Sequence, residues 1–158
     1  MIIPPRTILL AWNQASRLSK TYEEFLLDYA EKKQEVFPKW NSGLTKIKSE
    51  GDRIFLLRYQ GENPGLIGSG WAAGQAYKDQ HYNLQFPGCK SAYLDVKLEA
   101  LLIDEQAIPL KELASGELSH IFSTKRISGT ILGLQTGKQL EDYWKAHLLK
   151  LGVATNSR

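Results

Sequence analysis

Residues 51–74, GDRIFLLRYQGENPGLIGSGWAAG, decide the fold. Ile54, Phe55, Leu56 and Leu57 are apolar at consecutive positions, as a strand buried on both faces requires. A Gly51-Asp52 turn leads into this strand, and Gly61 to Gly65, with Pro64, reads as a hairpin loop. The return strand, Leu66 to Gly74, carries Gly68, Gly70 and Gly74. Glycines so closely spaced weaken a strand, so they mark a bulge or a place where something approaches the backbone. A two-sided strand paired with a glycine-loosened one predicts a twisted central sheet able to close into a barrel.

Working outward, Ile8 to Trp12 is a β-prone run that stops at Asn13-Gln14-Ala15-Ser16, a buried strand with Trp12 at its exit. Thr21 and Glu24 have capping-box spacing, and Tyr22, Phe25, Leu26 and Tyr29 follow at helical intervals. That helix spans 21–35 and ends before Phe37-Pro38, because proline restricts the residue ahead of it. Lys39 to Lys46, rich in Asn, Ser and Gly, reads as a loop. From Ser91 to Leu102 the chain alternates, Leu94, Val96, Leu98 and Ala100 against Tyr93, Asp95, Lys97 and Glu99, predicting a half-exposed antiparallel strand.

After Pro109 the chain reads as a short helix or irregular connection to His120, then a weak strand over 128–132. Thr136 and Gln139 again fit a capping box, and Leu140, Tyr143, Trp144, His147, Leu148 and Leu151 form the apolar stripe of a last helix. The fold class is therefore α+β: a twisted sheet with flanking helices in one domain over 1–152, and a frayed tail over 153–158.

The composition agrees. With 158 residues, 42% of them hydrophobic and 23% charged, the chain can bury one core without a metal or disulfide staple. The single Cys89, with no signal-peptide pattern, points to a reducing cytoplasm. No apolar run approaches the roughly 20 residues of a membrane helix. Twenty Lys and Arg against seventeen Asp and Glu leave a formal charge of +3, which permits an anionic partner without specifying it.

Several chemistries lack their residues. His81, His120 and His147 stand apart and Cys89 has no Cys-x-x-Cys partner, so no metal site is signalled and no cofactor is expected. Residues 133–139 (GLQTGKQ) are one residue short of a phosphate-binding loop and lack its Ser or Thr. Gly68-Ser69-Gly70 lacks the spacing of a nucleophile elbow. Asp52 reads as a turn residue bonding local backbone, Asp95 and Glu99 as solvent-facing, and His147 as a core or boundary histidine.

What remains is an aromatic and small-polar set: Trp12-Asn13, Trp40-Asn41-Ser42-Gly43 and Ser69-Gly70-Trp71. Two indoles about 7 Å apart leave a slot one planar ring thick, in which stacking contributes about 1–3 kcal/mol per base. Asn and Ser can then read the polar edge of that ring. On spacing alone Trp12 fits a core role slightly better than a cage role and Trp71 fits both equally, whereas Trp40 lies outside any apolar periodicity. Lys39, Lys46, Lys48, Lys125 and Arg126 are candidates for phosphate contacts.

Residues 8–13 (ILLAWN), 40–43 (WNSG) with Lys46, 51–58 (GDRIFLLR), 65–71 (GLIGSGW), Tyr93, Asp95, Val96 and Ser128-Gly129 together resemble, in order and spacing, an EVE-type domain. EVE domains stand in front of HNH nucleases in modification-dependent restriction enzymes and belong, with YTH and ASCH domains, to the PUA-like superfamily. The resemblance covers about residues 7–146. It implies a PUA-like twisted β pseudo-barrel with flanking helices, whose pocket takes a modified base flipped from nucleic acid. It also implies Trp40 and Trp71 as cage aromatics, and polar contacts from Asn13 beside Trp12. Residues 14–20 lack the second tryptophan often seen there.

The function expected is reading 5-methylcytosine or 5-hydroxymethylcytosine in DNA through Trp12, Asn13, Trp40, Ser42, Ser69 and Trp71. Cleavage is expected of a separate nuclease domain or subunit. Modified RNA as the ligand, or a PUA-like enzyme or small-molecule module using the same pocket, are the alternatives.

Overall fold

The computed structural model describes residues 6–12, 36–43, 51–59, 63–74, 77–80, 90–123, 130–153 and 155. The expected helix over 21–35 lies outside them. Eight strands are described: β1 (Thr7–Trp12), β2 (Val36–Gly43), β3 (Arg53–Arg58), β4 (Gly65–Ala72), β5 (Tyr77–Gln80), β6 (Lys90–Leu101), β7 (Ile108–Pro109) and β8 (Thr130–Leu132). Three helices follow β7, namely α1 (Leu110–Ser115), α2 (Ser119–Phe122) and α3 (Leu134–Leu151).

The sheet runs β2-β6-β4-β3-β1-β8, with β5 added on β6 and β7 on β4. Every pair is antiparallel except β1 and β3, which run parallel from Thr7↔Arg53 to Trp12↔Arg58. Although β1 and β2 are not neighbours in the sheet order, they bring Cα atoms within 8 Å of each other. The sheet thus curls until β1 returns to β2, a pseudo-barrel rather than an open sheet.

The two-sided pattern of β3 is explained by two cores. Ile8, Leu10, Ile54, Leu56, Ile67, Leu94, Val96 and Leu98 fill the inner face. Leu9, Phe55, Leu57 and Leu66 take the opposite parity and, with Ala100 past the register shift of β6 on β4, meet Leu113, Phe122, Leu140, Trp144 and Leu148 of the three helices and Leu118 just ahead of α2. All six residues of β3 are buried, as a strand covered on both faces requires.

The glycines of β4 serve the sheet. A Cβ at Gly70 would run into the Lys97 carbonyl of β6, beside a register shift between Ser69 and Gly70. The close approach foreseen for this strand is thus that of a neighbouring backbone. Gly137 does the same for α3: a Cβ there would lie 2.6 Å from Thr7 Oγ1, so the first turns of the helix press on the start of β1.

Three expectations change. Residues 39–43, read as a loop, belong to β2, where register shifts between Phe37 and Trp40 and between Asn41 and Gly43 accommodate turn-forming residues in a bulged strand. The last helix begins at Leu134 behind Gly133 with no side-chain cap, so the Thr136 capping box is unused. At its far end Gly152 closes the helix in the left-handed conformation, φ 69°. Asp52 reaches beyond its own turn, accepting the Arg6 backbone N–H and the Arg6 guanidinium, each at 3.1 Å. Among the described residues no helix is long and apolar enough to cross a membrane.

Candidate functional site

At the start of β3, Arg53 lies almost wholly buried between sheet and helix, 9% exposed. All three guanidinium nitrogens are engaged. Nε donates to Glu141 Oε2 of α3 at 3.0 Å, Nη2 to Glu99 Oε1 of β6 at 2.6 Å, and Nη1 to the Gly70 carbonyl at 3.1 Å. The bonds fix the plane of the group, which lies 4.9 Å from the Phe55 ring centroid and 5.0 Å from that of Trp71. A buried charge of this kind persists because it is paired and fully bonded.

The network continues inward. Glu99 Oε1 also accepts the Ser69 hydroxyl at 2.8 Å, and Ser69 Oγ accepts the indole N–H of Trp144 at 2.8 Å. Trp144 is fully buried and packs edge-on to Phe55, ring centroids 6.1 Å apart. Glu99, read from the sequence as solvent-facing, is instead the acceptor that joins Arg53 to Ser69. His147 meets expectation as a boundary residue, donating from Nε2 to the Gln106 carbonyl at 2.6 Å.

Trp71 is half-buried at the end of β4, opposite Arg53 on one flank and Lys97 on the other. Trp12 closes β1 opposite Arg58. The two tryptophans therefore stand at opposite ends of the six-residue β3, some 16 Å apart along the strand direction at about 3.3 Å per residue. One planar slot cannot use both. Trp40 stands opposite Leu94 of the inner face and Trp71 opposite Lys97, three positions further along β6 and of the opposite parity, so the two share one end of the sheet. The backbone register shifts on both sides of Trp40, between Phe37 and Trp40 and between Asn41 and Gly43.

Ser42 lies in the second of those irregularities and Lys39 in the first. Ser69 is different: it is fully buried, and its hydroxyl both donates to Glu99 and accepts from Trp144. That engagement makes it a link between sheet and helix. Asn13, Lys46, Lys48, Lys125 and Arg126 lie outside the described residues. Among the described residues no group of three metal-capable side chains is found. The buried pairing of Arg53 with Glu99 was not foreseen from the sequence, although an arginine heading an apolar strand is a signal that a buried partner must exist.

No family model matches the chain, and no curated protein matches it in sequence. Solved structures do. A hypothetical protein from Leishmania major aligns with a TM-score of 0.63 at 19% identity, over 90% of this chain and 96% of that one. Human THYN1, solved in complex with DNA containing 5-methylcytosine, aligns with a TM-score of 0.59 at 17% identity, over 87% and 96%. The YTH domain-containing protein mmi1, solved with RNA, gives 0.51 at 12% identity, over 94% and 87%. At these identities the relationship is one of architecture: the chain has the α+β, PUA-like fold that EVE and YTH domains share.

Proposed function

We propose that this protein reads a modified base in nucleic acid, flipping it from the strand and stacking it on Trp40 and Trp71. The observation that carries the reading is the common fold with THYN1, a protein solved on 5-methylcytosine DNA. The placement of both tryptophans at one end of the sheet supports it. Ser42, in the second irregularity of β2, supplies the polar edge; Trp12, at the far end of β3 from Trp71, and Asn13 next to it in sequence are left out of the slot. Lys39, Lys46, Lys48, Lys125 and Arg126 contact the backbone phosphates. Ser69, fully committed within the protein, supports Trp144 from behind and is left out of the base contacts.

The ligand we favour is 5-methylcytosine or 5-hydroxymethylcytosine in DNA, read in the cytoplasm within a modification-dependent restriction system whose nuclease is a separate domain or subunit. A buried cytosine methyl adds only about 0.8 kcal/mol, roughly a fourfold preference. Ser42 would add to the margin by hydrogen bonding a hydroxymethyl group.

Titration with duplexes differing at one cytosine, unmodified, methylated or hydroxymethylated, tests this. Preference for a modified cytosine, narrowed in Ser42→Ala, is expected; equal affinity for all three removes the proposal. The RNA complex of mmi1 favours a second reading, a modified RNA base, and matched RNA oligonucleotides in the same titration separate the two.

A further inference from the structure

The geometry points to Arg53 as a positioning residue that holds Trp71 ready to stack a base, with Glu141 of α3 as its anchor. This rests on the reading of Trp71 as a stacking face. Stacking gains most when the aromatic is already in place, because an indole that must be ordered on binding loses part of the gain as entropy. Trp71 is half-buried, and its ring has the Arg53 guanidinium 5.0 Å from its centroid. That guanidinium donates to three elements: β6 through Glu99, α3 through Glu141, and the β4 backbone through the Gly70 carbonyl. Its other neighbour is the Phe55 ring of the helix-covered core, 4.9 Å away.

Two consequences follow. Trp71 has one ring face occupied by a fixed cation, so a base stacks on the other face alone. The orientation of that face is set from α3, through a carboxylate that touches no ligand. Glu141 is accessible enough to change without opening the core, its side chain 26% exposed and also 3.8 Å from Lys145 Nζ. Glu99 is less suitable for a test because it also bonds Ser69.

The experiment is a double-mutant cycle on binding of a duplex with a single 5-methylcytosine, using Trp71→Ala, Glu141→Gln and the pair, with Arg53→Lys as a further variant. Trp71→Ala is expected to weaken binding. Glu141→Gln, which keeps an acceptor but loses the charge, is expected to weaken it about twofold to fivefold, the range of one exposed cation–π contact. Added to Trp71→Ala, the Glu141 change is expected to cost nothing more, because what it positions is gone.

The indole N–H resonance of Trp71 gives the independent signature. It is expected to shift or broaden in Glu141→Gln and Arg53→Lys, while that of Trp144, bonded to Ser69, stays in place. A Glu141 effect that persists undiminished in the Trp71→Ala background, or an unmoved Trp71 resonance, overturns the positioning role and leaves the reader function intact. Unchanged affinity in a folded Trp71→Ala protein overturns the stacking role of Trp71 itself, and the positioning role with it.

Discussion

The hydroxyl of Ser69 on β4 accepts the indole N–H of Trp144 on α3 at 2.8 Å, in a place where neither residue is exposed to water. The same hydroxyl donates to Glu99, so one oxygen ties the last helix to two strands. Ser69→Ala leaves the indole N–H buried without its acceptor and is expected to destabilise the fold by about 1–3 kcal/mol. In chemical denaturation, Trp144→Phe combined with Ser69→Ala should cost less than the separate losses together. Additive losses would show that the bond contributes nothing.

For Trp40→Ala the expected result is about 1–3 kcal/mol weaker binding to the modified duplex, with an unchanged melting temperature, since one stacking face is lost. Unchanged affinity in a folded variant would remove Trp40 from the cage.

Salt dependence follows from the charge. A chain with a formal +3 neutralises few phosphates, so log affinity should fall against log salt with a slope of roughly −2 to −5. A slope near −10 would require a phosphate footprint far larger than the five basic residues proposed.

Tyr143 donates to Glu112 Oε2 at 2.6 Å, linking α3 to α1. Burial first, then the hydrogen bond and the charge of Glu112, push its phenol from the usual 10.0 up to about 12. The folded state therefore keeps this proton to higher pH than the unfolded chain does. The contribution is fully present below pH 10 and is lost as pH rises from 10 to about 12. Thermal melts should show Tyr143→Phe less stable than wild type at pH 8, with the gap closing in alkali. A gap independent of pH would refute the link.

Catalysis is predicted to be absent from the isolated chain. Incubated with modified DNA and magnesium, manganese or zinc, it should leave the strands intact; cleavage abolished by substituting one carboxylate would reverse that conclusion.

The elements most plainly written in the sequence are those whose period matches their burial. The unbroken apolar run of β3 announces two covered faces, the alternation of β6 one, and the stripe from Leu140 to Leu151 the buried side of α3. β2 was not legible because Asn41, Ser42 and Gly43 are turn formers, and only the register shifts against β6 let a strand hold them. In β4 the glycines carried the right signal, close approach, but one sequence cannot say whether a ligand or a strand approaches.

The site was legible in part. Trp40 and Trp71 fall at one end of the sheet, whereas Trp12 falls at the other, a separation set by the parallel pairing of β1 with β3 that local sequence does not encode. Ser69 was read as a ligand contact because it is a small polar residue close to Trp71 in a glycine-loosened strand. Its two partners, Glu99 and Trp144, come from distant segments.

The pairing of β1 also dictates an order of assembly. Thr7 has Arg53 on one side and Leu132 on the other, so β1, synthesised before the other described strands, has both edges covered only after β8 has emerged. Antiparallel β3, β4 and β6 can form from nearer neighbours in the meantime. Such non-local closure is slow compared with helical folds. During synthesis Ile8 to Trp12 is therefore a waiting, sticky edge, the segment on which a chaperone would act and from which misassembly would start.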